Sequence, residues 1–184
     1  MVETSVYQYV RTYIYGEKFT NARIDLGRRV AEMIEKGTVS SDVELEHLRT
    51  FLPLYPYREY QMSGEIAGVP IFGKLDGFTE EKLHIGEYKT GVYWDADRVA
   101  TSGQLSFYAL LVFLKYRKLP QRITLTWMPT EIRPDGSVHV TGDIQNFETY
   151  RTMEDILEIG ARIKKSWKLI QEVCEAEYKS IGLL

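Results

Sequence analysis

The fold of this chain is decided by two short stretches, Gly-Lys-Leu-Asp-Gly-Phe at 73–78 and Ile-Gly-Glu-Tyr-Lys-Thr-Gly at 85–91. The segment 79–82 between them is polar and short, as the connection of a hairpin should be. We therefore expect both stretches to be β-strands that pair side by side.

These strands bring acidic and basic side chains together. Side chains alternate between the two faces of a strand, so Glu87 and Lys89 point to one face and Tyr88 to the other. If the strands pair, Asp76 lies beside Glu87. Paired carboxylates hold a divalent metal ion, which activates water and neutralises charge on a phosphate. Acidic and basic residues on a hairpin are usually solvated, however, so this interpretation depends on the rest of the chain.

The composition indicates a globular protein with a substantial core. A length of 184 residues suits one domain and is short for two. The net charge of −3 excludes a general polycation, so any nucleic-acid surface must be a local patch. The single cysteine, Cys174, excludes an intramolecular disulfide. The amino terminus lacks a signal-peptide pattern and the longest apolar run, 107–114, is too short to span a bilayer, so we expect a cytoplasmic protein.

Helices are predicted before the strands. The aromatic-rich segment 5–19 is expected to form a short helix or irregular arm that packs its rings on the body. Residues 24–36 carry a clear apolar stripe at helical spacing, and a second, short helix is expected over 41–51. Arg28 and Glu32 lie one turn apart beside that stripe. They form either a surface ion pair or one border of the site.

From residue 57 the apolar pattern changes to a period of two, which indicates strands. The predicted strands cover 58–66, 69–78, 82–89, 122–128 and a short fifth segment at 138–140. The tight hairpin between the first two strands places Glu59 roughly opposite Asp76. Glu59 is then either a solvated edge residue or an outer acid of the site.

Two further helices are predicted. Residues 99–116 are apolar nearly all round, which indicates a buried helix. Near its start, Gln104 and Tyr108 share a face, and the glutamine needs hydrogen-bond partners from the core, a bound water or a phosphate. Thr152 and Asp155 match a capping box that opens the last helix. That helix carries basic residues typical of a solvated face or of a nucleic-acid surface, namely Arg162, Lys164, Lys165 and Lys168.

In this order the motifs resemble the PD-(D/E)XK nuclease superfamily, and within it the RecB-like domains of recombination and phage-type exonucleases. Asp76 matches the acid of the second strand, and 87–89 matches the (D/E)-x-K of the third. Residues 104–108 match the Q-x-x-x-Y helix motif, and 26–32 look like the first-helix motif of that branch. The resemblance covers roughly residues 20–128, and the motifs are specific jointly rather than singly.

The resemblance implies an α/β fold with a restriction-endonuclease-like core, in which helices flank a mixed central β-sheet of about four to five strands. It implies a single nuclease domain over 1–184. Within that domain, the N-terminal helices would lie at about 5–51, the catalytic sheet and helix at about 57–128, and the C-terminal helix at about 153–179.

The implied activity is Mg²⁺- or Mn²⁺-dependent hydrolysis of DNA phosphodiester bonds with one or two ions, by an exonuclease of recombination, repair or phage DNA metabolism. Asp76 and Glu87 would ligate metal, and the backbone carbonyl of Tyr88 could add an oxygen. Lys89 would orient or deprotonate water or stabilise developing negative charge. Gln104 would position phosphate or water. The implied catalytic set is Asp76, Glu87, Lys89, Gln104 and Tyr108.

Three departures from the family pattern matter. Ala31 stands where RecB-like domains usually carry a histidine that assists metal binding. Its neighbour Glu32 resembles the first-helix acid of other branches, and we assign it the ligand role. The relatives with an iron–sulfur cluster need four cysteines, so no such cluster is expected here. The proline of the motif name is replaced by Leu75.

The expected partner is DNA, and a homo-oligomer or a recombination or helicase partner is compatible with the resemblance. No membrane partner is expected, and a phage-encoded protein would act in the host cytoplasm. Residues expected to contact nucleic acid are Arg28, Trp94, Lys164, Lys165 and Lys168. Two alternatives stay open, namely a catalytically silent nucleic-acid-binding or partner-docking module on the same fold and a structure-specific endonuclease.

Overall fold

The computed structural model describes residues 10–18, 20–37, 43–91 and 93–180. After a π-helical turn at Val10–Ile14, the helices are α1 (Ala22–Lys36), α2 (Val43–Arg49), α3 (Ala96–Ala100), α4 (Gly103–Tyr116) and α5 (Met153–Ser180). The strands are β1 (Tyr57–Ile66), β2 (Val69–Thr79), β3 (His84–Gly91), β4 (Arg122–Ile132), β5 (Val138–Val140) and β6 (Gln145–Thr149).

The strands form one mixed sheet in the order β1-β2-β3-β4-β5, with β6 also paired to β4. β3 and β4 run parallel, whereas the other pairs are antiparallel. This sheet confirms the predicted fold class and adds one strand, β6. In β6, Gln-Asn-Phe-Glu-Thr, only Phe147 and Thr149 are turned toward the core. Its sequence therefore shows no run of alternating apolar residues.

The β1–β2 hairpin has the predicted register. Ile66 pairs with Val69, and the two turn residues Ala67 and Gly68 both have positive φ, at 50° and 77°. Two consecutive residues with positive φ define a type I′ turn, whose twist matches that of antiparallel strands. This register carries through to the far end of the hairpin, where Arg58 pairs with Gly77.

Helices cover both faces of the sheet. On one face, a core that includes Phe78, Ile85 and Leu111 packs with α4 and α5. On the other face, α1 and α2 enclose a second core. The predicted apolar stripe of α1 is buried there, and consists of Leu26, Val30, Met33 and Ile34.

Two glycines of the deciding stretches let an aromatic ring lie flat against the sheet. A Cβ atom at Gly77 would come within 2.3 Å of the Tyr55 ring, and one at Gly86 within 2.2 Å. These glycines form the last residue pair before Asp76 and Glu87. The ring of Tyr55 therefore supports the sheet directly next to the acidic residues.

The expectation of one helix over 99–116 was wrong. The chain forms α3 and α4, and Ser102 caps the second by accepting the Leu105 N–H at 3.5 Å. The break is held by Arg151, which is 4% exposed and donates to the carbonyls of Val99 at 3.0 Å and Ser102 at 3.2 Å. Arg151 thus adds a donor to two carbonyls that also accept the backbone N–H groups of Ser102 and Ser106, and it ties the break to the strand end that precedes α5.

At the two ends of the chain, the predicted capping box is present, but the predicted packing of the amino-terminal rings is not. The capping box is confirmed, since the Thr152 N–H donates to Asp155 Oδ2 at 2.7 Å and the Asp155 N–H to Thr152 Oγ1 at 3.2 Å. In the amino-terminal arm, however, Tyr13 and Tyr15 are exposed rather than packed. Aromatic residues of the arm that lie outside the described residues are Tyr7, Tyr9 and Phe19. No helix among the described residues is long and apolar enough to cross a membrane.

Candidate active site

The acidic residues lie where two strands separate. Within the described chain, β2 and β3 form three residue pairs that end at Gly77 and Gly86, although β2 continues along β1. Asp76 and Glu87 are the next residues on the two diverging strands. Asp76 Oδ2 accepts the backbone N–H of Tyr88 at 3.0 Å. This side-chain bond closes the end of the paired region and fixes the carboxylate in the opening, which we call the fork.

Glu87 is the most unusual residue of the fork. Its side chain is 1% exposed, Oε1 lies 2.6 Å from Lys89 Nζ, and Oε2 is buried with no hydrogen-bond partner in the described structure. Burial and the neighbouring Asp76 charge raise the pKa of Glu87 from 4.5 to about 8, against the attraction of Lys89. A buried acceptor without a donor is costly. Glu87 therefore has the unmet demand for positive charge that a cation would satisfy.

Asp76 shares this environment. Burial raises its pKa above the ordinary value of 3.8, although the Tyr88 N–H and the Lys89 charge oppose the change. Two carboxylates of which one, Asp76, raises the pKa of the other, and which both lie near one lysine, are an arrangement suited to a divalent ion. The structure thus brings together the predicted Asp76, Glu87 and Lys89.

A cavity of about 220 Å³ lies between the fork and α1. Asp76 and Lys89 line it from the sheet, and Ala31 lines it from the helix. Ala31 is the position at which the resemblance expects a histidine. This position does face the fork, but its side chain is a methyl group, which cannot bind a metal.

The prediction that Glu32 is a metal ligand requires correction. Its carboxylate accepts from Arg28 at 3.4 Å and lies 3.9 Å from Lys36 Nζ, and the side chain is 46% exposed. Adjacent residues of a helix point about 100° apart, since each turn takes 3.6 residues. With Ala31 toward the cavity, Glu32 is directed to the solvated side. No group of three His, Cys, Asp or Glu side chains suited to a metal occurs among the described residues.

Glu59 belongs to the cavity instead of a solvated edge. It lines the space opposite Asp76, its side chain is only 15% exposed, and it pairs with Lys74. Its φ of 48° is uncommon for a non-glycine residue within a strand, and such strain is often found at functional sites. The hairpin register indicated its position, but no sequence signal indicated this backbone conformation.

Gln104 and Tyr108 approach the fork from α4. Gln104 Nε2 donates to Tyr108 Oη at 2.9 Å. Burial, and after it the charge of Glu87, raises the pKa of Tyr108 above its ordinary value. Gln104 therefore has a hydrogen-bond partner within the protein, and this bond fixes the orientation of its side-chain carbonyl oxygen.

The predicted nucleic-acid contacts are spread over the surface. Arg28 also lies 3.5 Å from Asp25, and the Arg98 guanidinium stacks 4.2 Å above the ring of Trp94. The α5 lysines are exposed, namely Lys164, Lys165 and Lys168. Lys168 lies 3.8 Å from Glu172. Both original interpretations of these residues, solvated face and nucleic-acid contact, are compatible with this placement.

No protein-family model and no curated protein matches the sequence. Two crystal structures share its fold. One is a "putative exonuclease" from Eubacterium rectale, with a TM-score of 0.57 and 11% identity over 92% of this chain and 74% of that chain. The other is a phage-related exonuclease from Haemophilus somnus 129PT, with a TM-score of 0.56 and 14% identity over 94% and 82%. This chain shares the fold of these two exonuclease structures.

The shared fold of these exonuclease structures agrees with the fold that the resemblance implies. At these identities they say nothing about individual residues.

Proposed function

We propose that the protein is a metal-dependent deoxyribonuclease that removes nucleotides from DNA ends. One observation carries this proposal, namely that half-buried Asp76 and buried Glu87 lie beside Lys89, with Glu87 Oε2 lacking a partner within the described chain. Both structural neighbours are described as exonucleases, which supports action at ends.

The side chains of the fork fit a hard divalent cation. Asp76 and Glu87 would hold Mg²⁺ or Mn²⁺ through carboxylate oxygens, and the Tyr88 carbonyl would add a backbone oxygen. When bound, such an ion polarises a phosphate and generates a nucleophile from water. It would also compensate two nearby negative charges that burial otherwise disfavours. We do not include Glu32 in this set, because its carboxylate is engaged by Arg28 and Lys36.

Lys89 contributes fixed positive charge at the same place. Its ammonium lies 2.6 Å from Glu87 Oε1 and its side chain is 29% exposed, so it contacts both the buried acid and the open cavity. A preorganised cation stabilises the negative charge that accumulates on a phosphate during attack. Gln104, oriented by Tyr108, would hold a phosphate oxygen or the attacking water on the α4 side.

A second candidate is a module that binds nucleic acid without turnover. The observation that favours it is Ala31, which lines the cavity without supplying a ligand where RecB-like domains usually have a histidine. Asp76, Glu87 and Lys89 favour catalysis, because two acids and a lysine at one point supply both the metal ligands and the fixed positive charge that phosphodiester hydrolysis needs.

The test is incubation of linear and closed circular DNA, each single- and double-stranded, with Mg²⁺ or Mn²⁺. We expect loss of linear DNA only, and no loss with EDTA or with the Lys89→Ala variant. Lys82→Ala is the matched control, since Lys82 is exposed on the β2–β3 turn, at the opposite end of the paired segment. Cutting of circles would indicate the endonuclease, and metal binding without cleavage of any substrate would indicate the silent module.

A further inference from the structure

Glu59 faces the fork cavity from a distorted point of β1. It stands opposite Asp76 in the β1–β2 hairpin, between two regular pairs, namely Arg58–Gly77 and Tyr60–Leu75. Glu59 and Asp76 do not form a ladder pair themselves, and the φ of Glu59 is 48°. Opposed residues of an antiparallel pair have Cβ atoms about 4.5–5.5 Å apart. The hairpin register therefore sets the two acidic residues side by side.

The distortion also changes which residues of β2 face α1. Leu75 packs in the core beneath α4, whereas Gly77 lies beneath the ring of Tyr55, which belongs to the core of α1 and α2. In a regular strand, residues 75 and 77 would face the same side. The hairpin thus inverts at the level of Glu59 and Asp76. Both of these side chains line the cavity between the sheet and α1.

The Glu59 carboxylate is shielded from solvent but keeps the capacity to accept hydrogen bonds. Its side chain is 15% exposed, and Oε2 pairs with the ammonium of Lys74, which is 47% exposed. A carboxylate has about four lone-pair sites, so one ion pair leaves it able to accept from water as well. Glu59 therefore adds a second acidic acceptor to the cavity, opposite Asp76.

The ion proposed for the fork has to complete its coordination in this cavity. Mg²⁺ held by one or two carboxylates usually keeps several of its waters. The cavity of about 220 Å³ has room for several waters, at about 30 Å³ each. Its α1 wall consists of residues without a polar side-chain atom, namely Gly27, Val30, Ala31 and Ile34. Among the described residues, Glu59 is the one carboxylate besides Asp76 that lines the space.

We propose that Glu59 is a positioning residue of the metal centre, which accepts hydrogen bonds from waters bound to the ion that Asp76 and Glu87 hold. Water lies between Glu59 and the ion, because no three His, Cys, Asp or Glu side chains of the described chain form a group suited to direct ligation. The inference rests on the proposed function and deepens its metal centre. Glu59 supplies from β1 a polar contact that Ala31 does not supply from α1.

The test is calorimetric titration of Mn²⁺ into Glu59→Gln, which keeps the shape of the side chain and removes its charge. Loss of a group that orients a metal's ligands typically lowers metal affinity 10- to 100-fold, and we expect a decrease of about that size. Glu65→Gln is the matched control. It removes one charge from an exposed position of the same strand, about 20 Å further along, and should bind Mn²⁺ like the wild type.

Two further variants separate this role from a structural one. Lys74→Met breaks the ion pair but keeps the acid, so Mn²⁺ affinity should stay the same or rise. Glu59→Gly removes the carboxylate and relieves the positive φ, because glycine adopts this conformation without steric cost. In EDTA it should unfold at no lower temperature than Glu59→Gln, although both bind Mn²⁺ weakly. Wild-type Mn²⁺ affinity in Glu59→Gln, or an equal loss of affinity in Lys74→Met, would overturn the proposal.

Failure of this inference and failure of the nuclease function give different results. If Mn²⁺ affinity depends on Glu59 but DNA is never cleaved, the Glu59 assignment stands and the nuclease function fails. If the wild type cleaves DNA and Mn²⁺ affinity does not depend on Glu59, the nuclease function stands and the Glu59 assignment fails.

Discussion

Replacing Glu87 by glutamine should make the metal-free protein more stable at alkaline pH. The folded protein raises the pKa of Glu87 from 4.5 to about 8, so between these values the folded state holds a proton that the unfolded state has lost. Stability then falls as pH rises, by about 1.36 kcal/mol for each pH unit. Below pH 4.5 the group is protonated in both states and contributes no pH dependence.

The full difference corresponds to an upper limit of about 5 kcal/mol, reached at pH 8 and above. Glutamine has nearly the same shape and no charge, so it removes this dependence. We expect urea unfolding in EDTA to show that the advantage of Glu87→Gln over the wild type grows by about 2–5 kcal/mol between pH 5 and pH 9. The comparison between the two proteins cancels the titration of distant groups.

Glu158→Gln is the control, because Glu158 is exposed on α5. It should follow the wild type at every pH. A wild type and Glu87→Gln variant whose stabilities change in parallel from pH 5 to pH 9 would refute the argument. In that case the buried carboxylate would carry no electrostatic cost, and its demand for a cation would lose its physical basis.

Three further predictions concern separate parts of the structure. Lys89→Ala should lower the rate of DNA cleavage about 10²- to 10³-fold with Mn²⁺ affinity nearly unchanged, and an unaltered rate would remove Lys89 from the site. Glu32→Ala should change neither cleavage rate nor Mn²⁺ affinity, because its carboxylate pairs on the exposed side of α1; a clear loss of affinity would restore it as a ligand. Arg151→Met should lower the free energy of unfolding by about 1–3 kcal/mol, since several buried acceptors lose one of their donors. Thermal unfolding that matched the wild type would contradict this.

The sequence was sufficient to predict the fork. Alternation along β3 put Glu87 and Lys89 on one face, and hairpin pairing put Asp76 opposite Glu87. These are local rules, and the structure obeys them. The strand register even located Glu59, although its unusual φ depends on packing that no short pattern encodes.

Features that depend on distant contacts were not predictable. Ala31 and Glu32 are adjacent, and only the packing of α1 on the sheet decides which one faces the cavity. The break between α3 and α4 needs Arg151, which lies about fifty residues further along the chain. The point at which β2 and β3 separate also depends on packing, and neither strand's own sequence pattern reveals it.

The most direct test of the account is calorimetric titration of Mn²⁺ into the wild type and into Asp76→Asn, with Asp97→Asn as a control at an exposed position in α3. The account predicts that the wild type and Asp97→Asn bind Mn²⁺ with the same affinity and that Asp76→Asn loses binding. Equal Mn²⁺ affinity in all three proteins would contradict the claim that the fork of Asp76 and Glu87 is the metal centre of a nuclease.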